Sequence, residues 1–111
     1  MSDIATLRRQ LMIKTGVASR LKKELEMYQK EVVDQKLKKD KLIADEADDW
    51  DIKNAGKMLD ESEKMIKDTE TRLGKAYGDL KDLLVSAKQH PDLAQDEDYL
   101  KAEEMVEETA L

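Results

Sequence analysis

Between Ile52 and Ala87 the chain repeats apolar or small residues at alternating steps of three and four: Ile52, Ala55, Leu59, Ser62, Ile66, Thr69, Leu73, Ala76, Leu80, Leu83 and Ala87. Side chains so spaced fall on one side of an α-helix. The rhythm holds for five heptads without a slip, which predicts one long helix with a narrow seam, as in bundles and coiled coils. At about 1.5 Å per residue that helix is about 55 Å long. The Ala, Ser and Thr positions on the seam let partner helices come close. A helix cannot bury its own seam, so the flanking segments are expected to cover it.

The segment before it carries the same rhythm: Leu7, Leu11, Lys14, Ala18, Leu21, Leu25, Tyr28, Val32, Gln35, Lys39 and Leu42. The stretch from Ala18 to Val32 fits best, and charge dominates beyond Val33. Ile13 and Val17 widen the apolar face, so this helix is expected to touch two neighbours. Asp3 or Thr6 suits its N-cap. Gly16 lies inside the pattern, where it costs about 1 kcal/mol relative to Ala; it marks a close neighbour, a bend or a tolerated weak point. Gly74 and Gly78, one turn apart in the second helix, form a strip for a close neighbour or soften that helix.

Residues 44–49, ADEADD, break the apolar rhythm. So short a link makes the two long helices antiparallel neighbours. Asp51 is the expected N-cap of the second helix, with Trp50 outside it and packed on Ala55 as a hydrophobic staple. The clustered carboxylates lack the alternate ligands, central Gly and terminal Glu of a calcium loop. Pro91 ends the second helix. Asp92 or Asp96 caps a third, whose stripe is Tyr99, Ala102, Val106 and Thr109, helped by Leu93 and Met105. The expected fold is all-α: an elongated antiparallel three-helix bundle with coiled-coil-like packing, a single domain over 1–111. Its helices run over about 4–43, 50–89 and 93–110, the third shorter than the others. Leu21, Leu25, Tyr28, Leu59, Ile66, Leu73 and Leu80 are expected in the core. A short third helix covers one end of the hairpin and leaves the remaining surface open to a partner or a second copy.

Composition agrees with thin apolar stripes: 40% hydrophobic, 41% charged and 4% aromatic residues, with no Phe. A net charge of −6 argues against nucleic acid as the main partner. Absence of Cys excludes a disulfide framework and a thiolate site. MSDIATLRRQ has no signal-peptide core, and no run approaches the roughly 18 apolar residues that span a bilayer; a soluble cytosolic protein is expected. Charge is unevenly placed: residues 1–43 carry 11 basic and 6 acidic side chains, and residues 89–111 carry 1 and 8. The basic segment either pairs with the acidic one inside the bundle or faces an acidic partner.

Catalytic chemistry has no support. His90 is the only His, beside Pro91 in a linker, and neither a dinucleotide-binding nor a P-loop pattern is present. No metal or cofactor is expected. Met12, Met27, Met58, Met65 and Met105 recur near the apolar faces, where they read as gap-fillers ahead of a binding strip.

Met12-Ile13-Lys14-Thr15-Gly16-Val17, Arg20-Leu21 and Met27-Tyr28-Gln29-Lys30-Glu31 resemble the first helix of the tubulin-binding cofactor A family. The resemblance continues collinearly through Trp50-Asp51-Ile52-Lys53, Leu59-Asp60-Glu61-Ser62, Met65-Ile66, Arg72-Leu73 and Ala76-Tyr77-Gly78-Asp79-Leu80. It implies a cytoplasmic, cytoskeleton-associated folding cofactor, monomeric or homodimeric. Such a cofactor captures β-tubulin after the chaperonin and holds it for heterodimer assembly, stoichiometrically and without catalysis. Exposed residues within the matching motifs are then the candidate partner contacts: Lys14, Arg20, Lys23 and Lys30 on the first helix, Asp51, Lys53 and Glu61 on the second. Family members commonly carry Pro after the Met-Ile pair, where this chain has Lys67, so a straighter second helix is expected, bent by less than about 20° near residues 63–68. The rival readings are a self-associating coiled-coil scaffold and a spectrin-like repeat; the latter wants a third helix as long as the others.

Overall fold

A computed structural model describes residues 3–109. Helix α1 spans Ile4–Ala44, α2 spans Asp49–Ala87 and α3 spans Glu97–Thr109, with a single 3-10 turn at Pro91–Leu93 between α2 and α3. No strand occurs among the described residues. The expected last residue of the third helix, 110, lies outside them, as does the side chain of Thr109. The chain divides into two compact units: a terminal unit of Met1–Lys22 with Arg72–Leu111, and a hairpin unit of Lys23–Thr71.

In the terminal unit α1, α2 and α3 enclose the principal core. Leu7, Leu11, Leu80, Leu84, Ala87, Leu93, Tyr99 and Ala102 are buried together, with Ile4, Leu83, Met105 and Val106 packed against them. The seam of α2 passes from Leu80 to Leu84 rather than Leu83, because 3.6 residues per turn drift against a seven-residue repeat. Arg8 meets Asp96 and Lys22 meets Glu108, so α3 runs parallel to α1. The basic segment therefore pairs in part with the acidic one, and α1 touches two neighbours in this unit.

The hairpin unit has only two helices. Ser62 Oγ donates to Gln35 Oε1 at 2.9 Å, and Lys39 lies over Gly56, which makes α1 and α2 antiparallel here. Two cylinders bury only the strip between them. Val32, Ala55, Ser62 and Thr69 are buried, while Leu25, Tyr28, Leu59 and Ile66 are half-buried. The expected core is corrected accordingly. Leu73 and Leu80 are buried, Leu21 is half-buried in the terminal unit, and the best-covered part of α1 is Leu7 to Ala18 rather than Ala18 to Val32.

The termini of the helices show how the turns are made. Glu46 N–H bonds to Ile43 and Ala47 N–H to Leu42, with Glu46 at φ 52°. This is a Schellman closure with Glu in the left-handed position that favours Gly. Glu46→Gly is therefore expected to stabilise the protein by about 0.5–1 kcal/mol, net of the entropy that Gly adds to the unfolded chain; an unchanged or lower denaturant midpoint would contradict that. The carbonyl of Asp48 accepts the N–H of Ile52, so the N-cap of α2 is Asp48, not Asp51. Trp50 lies within the first turn of α2 at 73% exposure and forms no staple. Helix α2 is unbroken across residues 63–68 and contains no Pro to remove a hydrogen bond. Among the described residues no atom outside the local helix backbone comes within 4 Å of a Cβ placed on Gly16, Gly74 or Gly78, so none of them serves a close neighbour there.

Asp96 is the cap of α3: its Oδ2 accepts the N–H groups of Asp98 at 3.0 Å and Tyr99 at 3.2 Å. The helix begins at Glu97, four residues later than the apolar pattern predicts. Leu93 and Asp92 belong instead to the 3-10 turn, which Pro91 starts. His90 before it is extended, as a residue preceding Pro prefers.

Candidate partner-binding surface

The seven candidate contacts are not equivalent. Lys14 is engaged, its Nζ 3.8 Å from Asp79 Oδ2 in the terminal unit. Arg20, in the same unit, is exposed and makes no ion pair among the described residues. In the hairpin unit Lys23 and Lys30 are exposed and likewise unpaired. They are two helical turns apart on α1 and so share one of its sides.

On α2 the structure separates the remaining three. Asp51 lines a groove of about 250 Å³ with Gln35, Lys38, Leu42, Asn54, Ala55 and Met58. Glu61 is exposed three residues beyond Met58, on the same stripe of the helix. Lys53 is exposed but lies two residues from Asp51, about 200° around the helix and away from the groove. Asp51 thus lines the groove, Glu61 stands just beyond it, and Lys53 faces away.

The methionines correct the gap-filler reading. Met12, Met27, Met58 and Met65 are 55%, 53%, 44% and 37% exposed, and only Met105 packs on the core. Met27, Met58 and Met65 each precede a seam residue, so each points to the edge of the seam, a signal present in the sequence. In the terminal unit a larger groove of about 510 Å³ lies between α1 and α3, lined by Met12, Thr15, Gly16 and Met105 and edged by Asp98, Lys101, Glu104 and Glu108. On α3 burial, then the hydrogen bond to Glu103, pushes the Tyr99 hydroxyl above its ordinary pKa. The Glu97 carboxylate holds the exposed Lys101 above its own. Both shifts favour the protonation states already present at neutral pH. Among the described residues no cluster suits a metal ion, and no helix is long and apolar enough to cross a membrane.

Charge unpaired among the described residues and exposed methionine thus flank the seam of the helical hairpin. The family model described as tubulin binding cofactor A matches residues 6–106. The chain belongs to the tubulin binding cofactor A family. Tubulin-specific chaperone A of Gallus gallus is 42% identical over 103 residues, covering 93% of each chain. Two solved structures of cofactor A share the fold. The human tubulin chaperone cofactor A is 39% identical with a TM-score of 0.76, covering 95% of this chain and 99% of that one. The tubulin folding cofactor A of Arabidopsis thaliana is 32% identical with a TM-score of 0.85, covering 94% and 95%. With 13 residues against 41 and 39, α3 is too short for a spectrin-like repeat.

Proposed function

We propose that this cofactor A captures β-tubulin after the chaperonin and holds it for heterodimer assembly, in the cytoplasm and in association with the cytoskeleton. It acts by stoichiometric binding as a monomer or homodimer, without catalysis, nucleotide or metal. The observation that carries the reading is the hairpin unit itself. Two helices leave their seam half-buried, and its flanks carry unpaired Lys23, Lys30, Asp51 and Glu61. Arg20, Lys23 and Lys30 steer and align the client, Asp51 and Glu61 meet it at the groove, and Lys14 and Lys53 contribute less. The whole chain, 1–111, acts as one domain, because α1 and α2 each pass through both compact units.

The test is co-elution of the purified chain with β-tubulin, and separately with α-tubulin, each released from denaturant. A complex with β-tubulin alone is expected. Charge reversal at Arg20 and Lys30 together is expected to slow association about tenfold at low salt and less at high salt. If neither tubulin co-elutes, the proposal fails and a self-associating scaffold becomes the better reading, since Val33 and Leu37 on α1 are 56% and 64% exposed. Light scattering measures that alternative directly.

A further inference from the structure

We propose that the groove of the hairpin unit lined by Asp51 and Met58, with Glu61 just beyond it, docks a basic amphipathic helix of the client; that the client is β-tubulin rests on the function proposed above. The groove has an apolar floor of Leu42, Ala55 and Met58, and Met65 continues its stripe two turns beyond Met58. Methionine suits such a surface because its unbranched, polarizable side chain adapts to a partner. One contact already orients the floor, with Asn54 Nδ2 donating to the Met58 sulfur at 4.0 Å.

Charge selects the occupant. On α2 Asp51 lines the groove, and Glu61 stands beyond it, one turn after Lys57; neither acid makes an ion pair among the described residues. The α1 rim of the groove supplies Lys38 alone. Over residues 23–71 the unit carries 10 basic and 15 acidic side chains, net −5, so two hairpin units repel each other and an acidic helix is also disfavoured. The terminal unit shows the same two helices accepting a third. There an acidic amphipathic helix, α3, lays its apolar face on α1 and α2 while Arg8 and Lys22 take its carboxylates. The hairpin groove has the opposite sign on its free rim, and so receives a helix whose Lys or Arg residues flank an apolar stripe.

The experiment compares two charge reversals of equal size on opposite sides of α2. Asp51→Lys with Glu61→Lys alters the groove rim. Asp60→Lys with Glu63→Lys alters a separate shallow groove that these residues line with Lys64 and Lys67. All four positions are exposed, so the fold tolerates the changes. The first probe is a synthetic helical peptide of about 18 residues, Leu on one face and Lys on the other, titrated while the emission of Trp50, the only Trp, is read. The second is β-tubulin released from denaturant, read by co-elution.

The rim pair is expected to weaken both complexes about tenfold or more, and the control pair less than about twofold. Equal losses from the two pairs, or none from either, would overturn the inference. Peptide binding that discriminates the pairs, with no β-tubulin complex in the wild type, supports the groove chemistry and removes only the proposed client. A β-tubulin complex untouched by the rim pair leaves the function standing and overturns the groove. A mass that doubles with concentration in light scattering, and no longer does so in the rim pair, would seat a second copy there and also overturn it.

Discussion

Replacing Leu80 by Ala is expected to destabilise the protein by about 3 kcal/mol, a large part of the roughly 5–15 kcal/mol that holds a small domain folded. Leu80 is fully buried on α2, in the cluster formed with Leu7 and Leu11 of α1, Leu93 of the 3-10 turn, and Tyr99 and Ala102 of α3. Truncating its isobutyl group to a methyl withdraws contacts from three helices at once, and the neighbouring side chains are held by their own helices and cannot collapse into the void. A fall in melting temperature of roughly 10 °C or more should accompany the loss. Ile66→Ala is the matched comparison: Ile66 is half-buried in the two-helix unit, and its truncation should cost only about 1 kcal/mol. Equal costs at the two positions would mean that the terminal unit is not the stability centre of the chain.

Asp96→Ala is expected to cost about 2 kcal/mol, because one carboxylate does two jobs. Its Oδ2 receives the N–H groups of Asp98 and Tyr99 at the start of α3, a cap worth about 1 kcal/mol. Its Oδ1 stands 2.7 Å from Arg8 Nε. Arg8 is about half exposed, so solvent screening limits that pair to about 1 kcal/mol. Asp96→Asn keeps an oxygen for the cap but loses the charge, and should cost about half as much. A double-mutant cycle with Arg8→Ala isolates the pair. If Asp96→Asn is as damaging as Asp96→Ala, the cap contributes nothing and the ion pair carries the whole effect. Loss of α3 from the terminal unit would expose Leu93, Tyr99 and Ala102, so hydrogen exchange in α3 should quicken before that in α2.

Several features were legible because they are local. The three–four rhythm from Ile52 to Ala87 and from Leu7 to Leu42 sets the side of each helix that turns inward. Pro91 sets where α2 must stop, and the acidic run 44–49 where the chain must reverse. The motifs from Met12 to Leu80 carried the family. The caps were less legible, because several acids stand within reach of each helix start. Asp48 rather than Asp51 begins α2, its backbone carbonyl accepting the N–H of Ile52, and Asp96 caps α3 by taking the N–H groups of Asp98 and Tyr99 on its carboxylate.

The helices, their order and their inward faces follow from local sequence, since hydrophobic period and helix-breaking residues act within a few residues of themselves. How deeply each inward face is buried depends instead on packing between helices. Periodicity gives a side chain's direction around its own axis, but burial requires another element to stand in that direction. In the terminal unit α3 stands there, so Leu7, Leu11 and Leu80 are sealed. The hairpin unit holds no third helix among the described residues, so Tyr28, Leu59 and Ile66 remain half-buried and Met27, Met58 and Met65 reach solvent. The same geometry engages Lys14 with Asp79 and leaves Lys23, Lys30, Asp51 and Glu61 without an ion pair among the described residues.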